Sequence, residues 1–194
     1  MWGAVALAVA VLFFFQHIKR KTDVAKKAGE AYMLGFHWGD SVDAVAKWAK
    51  RLGLRYQNAS NEAACIVYTG RFPGLLQPVS YTFHLPGGFL DSIAILAEDA
   101  AGISFDFLRE KFTVKCGEAW DEDDDNLTWI AGDAGEILLV LFQGRSGYAH
   151  VRFFNMENLG DKDLDEEHDK VIEAIRMVDA EIIRQNEERK KKQK

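Results

Sequence analysis

The sequence predicts an α+β domain whose antiparallel sheet is packed by helices, placed behind an apolar N-terminal helix. Twice along the chain, a stretch with helical spacing that ends at a glycine is followed by three short apolar segments separated by turn residues. Connectors this short join antiparallel neighbours, because parallel strands need a longer crossover. A final amphipathic stretch at 163–188 adds a long C-terminal helix, which we expect to lie across the sheet or to pair with a partner helix.

The first residues predict a membrane anchor. Residues 2–18 contain no Asp, Glu, Lys or Arg, and Lys19, Arg20 and Lys21 follow at once. At about 1.5 Å per residue this run spans roughly 25 Å as a helix, close to the ~30 Å of a hydrocarbon core. We therefore expect 1–20 to be a transmembrane helix whose three following basic side chains contact lipid headgroups.

The charges around the apolar run predict how the chain is oriented. Basic residues lie just after the run and none lies before it, so the positive-inside rule places the folded domain in the cytoplasm. A cleaved signal peptide is the alternative, and it would leave the domain periplasmic or secreted. That alternative needs a basic segment before the run and a small-residue cleavage site after it, and the sequence has neither. A buried or amphipathic helix without a membrane is a third interpretation.

Composition indicates one folded domain. The chain has 194 residues, of which 48% are hydrophobic and 28% charged, enough to form a core and too apolar for a disordered chain. The net charge of -6 argues against nucleic acid as a partner. Cys65 and Cys116 lack a CxxC spacing and nearby histidines, so no zinc site is predicted. In a cytoplasm we expect two buried thiols; outside it, a disulfide between them remains open.

The first of the two repeated units is predicted at 39–98. Asp40 is expected to cap a helix that Gly53 ends. The segment 63–69 is a short apolar run and predicts a strand. Residues 79–96 alternate apolar and polar side chains around a Pro-Gly-Gly turn, which predicts a hairpin.

The second unit is predicted at 102–155 with the same element order. Ser104 is expected to cap a helix that Gly117 ends, with Ile103 and Leu108 packed together as a hydrophobic staple. Three strands are then predicted at 127–131, 136–142 and 148–154.

The remaining parts of the chain are a neck, a C-terminal helix and a tail. Residues 21–38 are Ala-rich and are expected to continue the anchor as a helical neck. The C-terminal helix begins with acidic residues, which favour a helix start. Its basic tail, 189–194, is expected to fray. One buried stripe is predicted along this helix, at Val171, Ile175, Val178 and Ile182.

Two segments of this layout carry a resemblance to known modules. The aromatic hairpin SYTFHL-PGG-FLDSIAIL and the Trp-led LTWIAGDAGEILLVLF, set within two helix-plus-hairpin units over 39–155, resemble small bacterial α+β modules. These are the β-lactamase-inhibitor-protein type and the SmpA/OmlA envelope lipoproteins. GDSVDAVAKWAKRLG is similar to the Gly-led first helix of such modules. The resemblance implies a protein-binding domain without catalytic residues. The chain departs from these families in lacking a lipobox cysteine and in its predicted cytoplasmic side.

Two features invite a metal-binding or catalytic interpretation. The acidic segment 120–126 lacks the glycine and glutamate of a calcium loop, so a solvated loop is predicted there. The histidines show no HxxxH or HExxH spacing, and no P-loop, GxGxxG or G-x-S-x-G motif occurs. His84 and His150 are expected on the polar faces of strands, where either one with a carboxylate would suit acid–base chemistry. We predict no cofactor and no metal site.

Large apolar residues in predicted loops are the candidates for contact with a protein partner. Phe72, Leu75 and Leu76 lie in the connector RFPGLLQ, where we favour folding back onto the core over a binding tip. Trp38 and Trp120, near element ends, have the same two interpretations. Candidate lipid contacts at the C-terminus are Arg189, Lys190, Lys191 and Lys192.

The sequence therefore favours a membrane-tethered, non-enzymatic module that binds another protein, as an inhibitor, immunity factor or assembly factor. One alternative is an enzyme with a cleft that uses His84 or His150 with a carboxylate. Another is a structural protein that self-associates through its C-terminal helix.

Overall fold

The structure is a computed structural model, which describes residues 35–99, 102–132, 135–159 and 163–192. It confirms the α+β class, the antiparallel sheet and the long C-terminal helix. The predicted anchor at 1–20 and residues 21–34 of the predicted neck lie outside the described residues. Within the described ranges, no helix is both long enough and apolar enough to cross a bilayer.

Three α-helices and eight β-strands make up the described domain. The helices are α1 (Val42–Arg51), α2 (Ile103–Cys116) and α3 (Leu164–Lys192). The first four strands are β1 (Arg55–Ser60), β2 (Cys65–Arg71), β3 (Pro78–His84) and β4 (Ser92–Glu98). The last four are β5 (Asp121–Glu122), β6 (Asn126–Ala131), β7 (Ile137–Gln143) and β8 (Tyr148–Asn155). Short 3₁₀ turns occupy Pro86–Gly88 and Met156–Leu159.

All eight strands form one antiparallel sheet in the order β1-β2-β3-β4-β8-β7-β6-β5. Each half of the chain supplies a meander of four strands, and the last strands of the two meanders, β4 and β8, pair at the centre. This order is what two consecutive helix-plus-meander units produce when they join along their final strands. The short β5 and the polar β1 are left as the two edges.

One face of the sheet carries the main core, beneath α1 and α2. Val45 and Ala49 of α1, and Leu108 of α2, are almost completely buried in this cluster. The strands contribute alternate side chains, which fits a period of two residues. The largest fully buried side chains from the strands are Tyr81, Phe83, Trp129 and Phe153.

The opposite face is covered by α3 at the β6–β8 half of the sheet. Leu138, Val140 and Phe142 of β7 pack against Ile172 and Ile175 of α3. Strand β7 is therefore buried on both faces from Ile137 to Phe142, which explains why its sequence is a continuous apolar run rather than an alternating one.

The structure corrects the strand count of each predicted unit from three to four. Strand β1 was not predicted, because RYQNAS has no apolar alternation and every residue of it is exposed. It pairs with β2 on one side only, so sheet geometry, not burial, holds it in an extended conformation. Strand β5 is two residues long, too short to leave a periodic signal.

Both predicted N-caps were wrong, because Ser41 and Gly102 hold the N-cap positions of α1 and α2. Ser41, not Asp40, caps α1 and accepts a hydrogen bond from the amide of Ala44. In α2, the Asp99 carboxylate accepts hydrogen bonds from the amides of Ser104 (2.8 Å) and Phe105 (3.1 Å). The predicted staple is absent, because Ile103 is 70% exposed. The glycine stops are confirmed, since Gly53 and Gly117 follow the two helices with positive φ.

Three further predictions about helices need correction. Residues 35–38 are not helical; Phe36 is 1% exposed and belongs to the core, so the domain begins before residue 39. The buried face of α3 holds His168, Ile172, Ile175 and Asp179, whereas Val178 is 40% exposed. The C-terminal helix also continues to Lys192 instead of fraying at Arg189.

Candidate functional site

The connector between β2 and β3 presents one fully exposed leucine. Phe72 is buried and Leu75 packs against the main core, as the fold-back interpretation predicted. Leu76, the next residue, is 94% exposed, the highest exposure of any large apolar side chain in the described residues. The connector thus combines the two interpretations: two apolar residues anchor it and the third faces solvent.

Several contacts hold this connector in place. The amide of Leu75 donates to the carbonyl of Phe72 (3.0 Å), and the Tyr81 hydroxyl donates to the carbonyl of Arg71 (3.0 Å). Gly74 has φ +94°, and a Cβ at this position would overlap the Phe107 ring of α2. Only glycine fits both conditions, so the chain turns tightly against α2. We call residues 72–76, which these contacts hold in place, the braced loop; Leu76 is its exposed last residue.

The helix beneath this loop adds an outward-facing apolar row. Ile103, Phe107 and Val114 are spaced four and seven residues apart, which places them along one side of α2. Ile103 is 70% and Val114 79% exposed. The Lys111 ammonium lies 5.4 Å from the Phe107 ring centroid. We call Leu76, Ile103, Phe107 and Val114 the apolar row; Phe107 is its half-buried member and packs against the main core.

The two candidate tryptophans lie in different surroundings. Trp38 packs against the main core, and its buried indole Nε1 has no hydrogen-bond partner within the described residues. Trp120 is 42% exposed. Its ring meets the His168 ring edge-on at 5.5 Å between centroids, and it borders a cleft between β5, β6 and the start of α3.

We call this cleft of about 460 Å³ the acidic cleft. Four aspartates line it against one arginine, Arg176, whose guanidinium is 3.3 Å from the Asp125 carboxylate. The ring of His168, which also lines the cleft, is held by a 2.8 Å hydrogen bond between its Nε2 and the Thr128 hydroxyl. The lining residues are Trp120, Asp121, Asp123, Asn126, Asp165, His168, Asp169, Ile172 and Arg176.

Asn126 is the polar residue of this cleft whose bonding is incomplete. It is 3% exposed, and its register partner Phe142 places its side chain on the α3 face of the sheet. Its Nδ2 donates to the Asp125 carboxylate at 3.2 Å. Its Oδ1 is buried and has no hydrogen-bond partner within the described residues, which is a costly condition for a carbonyl oxygen.

His150, predicted on a polar strand face, is instead buried under α3. It is 2% exposed, and its Nε2 lies 3.1 Å from Asp179 Oδ1. An ionised carboxylate only accepts, so His150 donates through Nε2–H. The same carboxylate accepts from the amides of Arg145 (2.9 Å) and Ser146 (3.2 Å) and from the Ser146 hydroxyl. We call these four residues the carboxylate clamp.

The clamp joins the β7–β8 turn to the middle of α3. Ser146 and His150 both bond the carboxylate, which lies between them, so the three do not form the Ser-His-Asp order of a nucleophilic triad. Gly144 is required beside it, because a Cβ there would overlap Asp179 Oδ1 and approach the Tyr148 carbonyl oxygen to 2.7 Å. The geometry is that of a structural hydrogen-bond network.

Burial and charge shift the pKa values of this region in a consistent way. Burial, helped by Arg152, lowers the pKa of His150 in spite of the Asp179 carboxylate. Burial raises the pKa of Asp179, but the hydrogen bonds from Ser146 and His150 outweigh it and leave that pKa below its usual value. Burial and the Arg152 guanidinium, 3.5 Å away, lower the pKa of His84. His84 and His150 do not meet, since they pair with different residues of β4.

The remaining sequence predictions are located as follows. Cys65 and Cys116 are half-buried, so they are not the fully buried thiols expected. Within the described residues, no group of three or more His, Cys, Asp or Glu side chains is arranged to hold a metal ion. Lys19, Arg20 and Lys21 lie outside the described residues. Along the last turn of α3, the exposed residues are Arg189, Lys190, Lys191 and Lys192.

Sequence reasoning missed Asp179 and Asn126. The predicted stripe on α3 contains apolar residues alone, whereas the inward face of this helix carries a carboxylate and an imidazole. The sequence places Asn126 in a loop, although it begins β6. Neither residue belongs to a recognisable motif. A signal existed only for the turn GRSG, whose exposed amides need an acceptor.

Comparison with known proteins identifies no relative. A scan against protein-family models gave no match, and neither did searches of the curated proteins and of the solved structures.

Proposed function

We propose that the chain is a membrane-tethered, non-enzymatic module that binds another protein through the apolar row. The observation that carries this proposal is the braced loop of Phe72 to Leu76. Two of its apolar side chains are anchored in the core and the third is almost fully exposed. A loop fixed before binding loses little conformational entropy on contact, so its exposed leucine suits an interface.

The outer face of α2 supports the same proposal. Gly74 seats the loop against Phe107, between the exposed Ile103 and Val114. A leucine tip beside a helical row gives a surface of the kind that accepts the apolar side chains of a partner. The tether itself rests on the sequence of residues 1–20 and remains a prediction, as do the cytoplasmic side and a role as inhibitor, immunity or assembly factor.

Capture of partners from detergent-solubilised membranes tests the proposal. Tagged wild-type chain is compared with Leu76→Ser and with the matched control Phe89→Ser, since Phe89 is 58% exposed and follows the other end of β3. We expect a protein recovered with wild type and the control to be lost or strongly reduced with Leu76→Ser. Recovery that is equal for all three, or nothing above background with wild type, contradicts the proposal.

An enzyme that uses a strand histidine is the second candidate, because His150 lies within hydrogen-bond reach of a carboxylate. Its burial argues against the enzyme, since a catalytic imidazole must reach substrate. Self-association through the C-terminal helix also remains a prediction. Light scattering of the purified chain distinguishes it, because a monomer at micromolar concentration would exclude a stable helix-paired dimer.

A further inference from the structure

We infer that the acidic cleft binds a primary alkylammonium, presented as a lysine side chain by the protein partner. The inference rests on the proposed function, because it assigns a second contact to the same complex. The cleft is large enough for an extended lysine side chain, with a volume of about 460 Å³. It lies against α3, on the sheet face opposite to that covered by α2.

The charge of the cleft selects a cation. Its lining holds Asp121, Asp123, Asp165 and Asp169, and its one arginine is within 3.3 Å of a fifth carboxylate, Asp125. Low-dielectric walls concentrate the field of such a group inside a cleft. Asp165 and Asp169 are four residues apart on α3, a spacing at which two like charges destabilise a helix.

The buried carbonyl oxygen of Asn126 points independently to a hydrogen-bond donor. Its amide nitrogen is turned toward Asp125, which leaves Oδ1 as the atom with no partner within the described residues. The side chain faces α3, where the residues of the cleft lie. An ammonium has three N–H donors, so it can bond this oxygen and a carboxylate at once and relieve both unfavourable conditions.

The walls of the cleft suit an aliphatic stem better than a bare ion. Trp120 and Ile172 both line the cleft. The face of an aromatic ring attracts a cation within about 6 Å, and an isoleucine side chain gives an apolar contact to the stem. A metal ion needs several ligands at 2–2.6 Å. No His, Cys, Asp or Glu group in the described ranges is arranged in this way, whereas an ammonium tolerates longer and less regular spacing.

Titration of the ¹⁵N-labelled full chain in detergent micelles tests the inference. The probe is Nα-acetyl-lysine methylamide, and its neutral Nε-acetyl counterpart is the matched control. The signals followed are the Trp120 indole N–H and the side-chain amide of Asn126. We expect saturable shifts with the charged probe, weakened by added salt, and none with the neutral one. Shifts of equal size with both probes, or no saturable shift with the charged probe, overturn the inference.

Variants separate the cleft from general charge effects. Asp165→Asn with Asp169→Asn should weaken binding about tenfold, the effect of losing a charge-assisted hydrogen bond. Glu173→Gln, an exposed residue of α3 outside the cleft, should leave it unchanged. Melting temperatures show that each variant is folded. Equal weakening by all substitutions would overturn the assignment to this cleft.

Two competitors test the source of the cation. If spermidine binds at least tenfold more tightly than the lysine derivative, a free polyamine is the ligand. The assignment of the cation to a lysine side chain of the partner is then overturned. If Ca²⁺ shifts the same signals at lower concentration than the lysine derivative, the cleft is a metal site and the inference is overturned. The proposed function is judged separately: partner capture that depends on Leu76 but not on Asp165 and Asp169 would uphold it while overturning the cleft's role in the complex.

Discussion

Single side chains connect parts of this chain that are distant in sequence. Asp179 takes hydrogen bonds from Arg145, Ser146 and His150, some thirty residues earlier. It thereby satisfies amides of the β7–β8 turn and fastens that turn to α3. Hydrogen bonds to a charged acceptor are worth more than neutral ones, and leaving them unmade is costlier still.

Replacing the clamp carboxylate by its isostere tests this role. Asp179→Asn keeps the shape but removes the charge and one acceptor, so donors at the turn lose a partner. We expect the free energy of unfolding to fall by about 2–3 kcal/mol, measured by urea denaturation. Glu173→Gln on the exposed side of the same helix should change it by less than about 0.5 kcal/mol. Equal effects of the two variants would contradict the clamp.

The carboxylate clamp also makes the free energy of unfolding depend on pH. For both His150 and Asp179, this free energy decreases as the pH falls. The pKa of His150 is lowered in the fold, so below the unfolded value of about 6.5 the unfolded chain binds more protons and stability falls. The pKa of Asp179 is lowered as well, so its contribution is present above about 3.9 and is lost as pH falls through its folded value.

Denaturation between pH 7 and pH 5 isolates the histidine part. We expect stability to decrease across this range in wild type and to decrease less in His150→Asn, whose amide can still donate to Asp179. The slope that remains belongs in part to His84, whose pKa is lowered too. If the stability of His150→Asn decreased with falling pH as steeply as that of wild type, His150 would not be held neutral by its burial.

Elements were predictable wherever burial imposed a period on the sequence. The alternation of β3 and the glycine stops at Gly53 and Gly117 identified their elements correctly. Prediction from the sequence failed where hydrogen bonds, and not the burial of apolar side chains, determine the structure. Strand β1 exists because β2 offers it hydrogen bonds, and the inner face of α3 includes Asp179 and His168 because partners on the sheet satisfy them.

The start of α2 allows the two accounts of its cap to be compared directly. The sequence favours Ser104, whereas in the structure Gly102 is the N-cap residue and the Asp99 carboxylate accepts from two amides of the first turn. We expect Asp99→Ala to destabilise the fold by about 1–2 kcal/mol. Ser104→Ala, which loses only a bond to the Glu98 carbonyl, should cost less than about 1 kcal/mol. Thermal or urea unfolding that reverses this order would restore Ser104 as the cap.

At the scale of the whole molecule, the two faces of the sheet are covered by different helices and carry different surface features. One bears α1, α2 and the apolar row beside the β2–β3 loop; the other bears α3, the clamp and the acidic cleft. Neither surface carries a sequence motif, because both are assembled from residues far apart in the chain. Composition and periodicity predicted the fold class, but the positions of Leu76 and Asn126 required the tertiary structure.

The side of the membrane on which the domain lies is also a prediction about the whole molecule. The basic residues after the apolar run predict that the domain is cytoplasmic. Protease added to spheroplasts, whose outer envelope is open, should leave the domain undigested, and digestion should follow only after the inner membrane is lysed. Digestion in intact spheroplasts would contradict the predicted side, and purified native material that begins beyond residue 20 would contradict the anchor.

The central claim is that Leu76 lies in an interface with another protein, and site-specific photo-crosslinking in living cells tests it most directly. A photoreactive amino acid is placed at position 76 in one variant and, in a second, at position 89, which follows the other end of β3. We predict a discrete crosslinked product of higher mass from position 76 and none from position 89. No product from position 76, or the same product from both positions, would contradict the account.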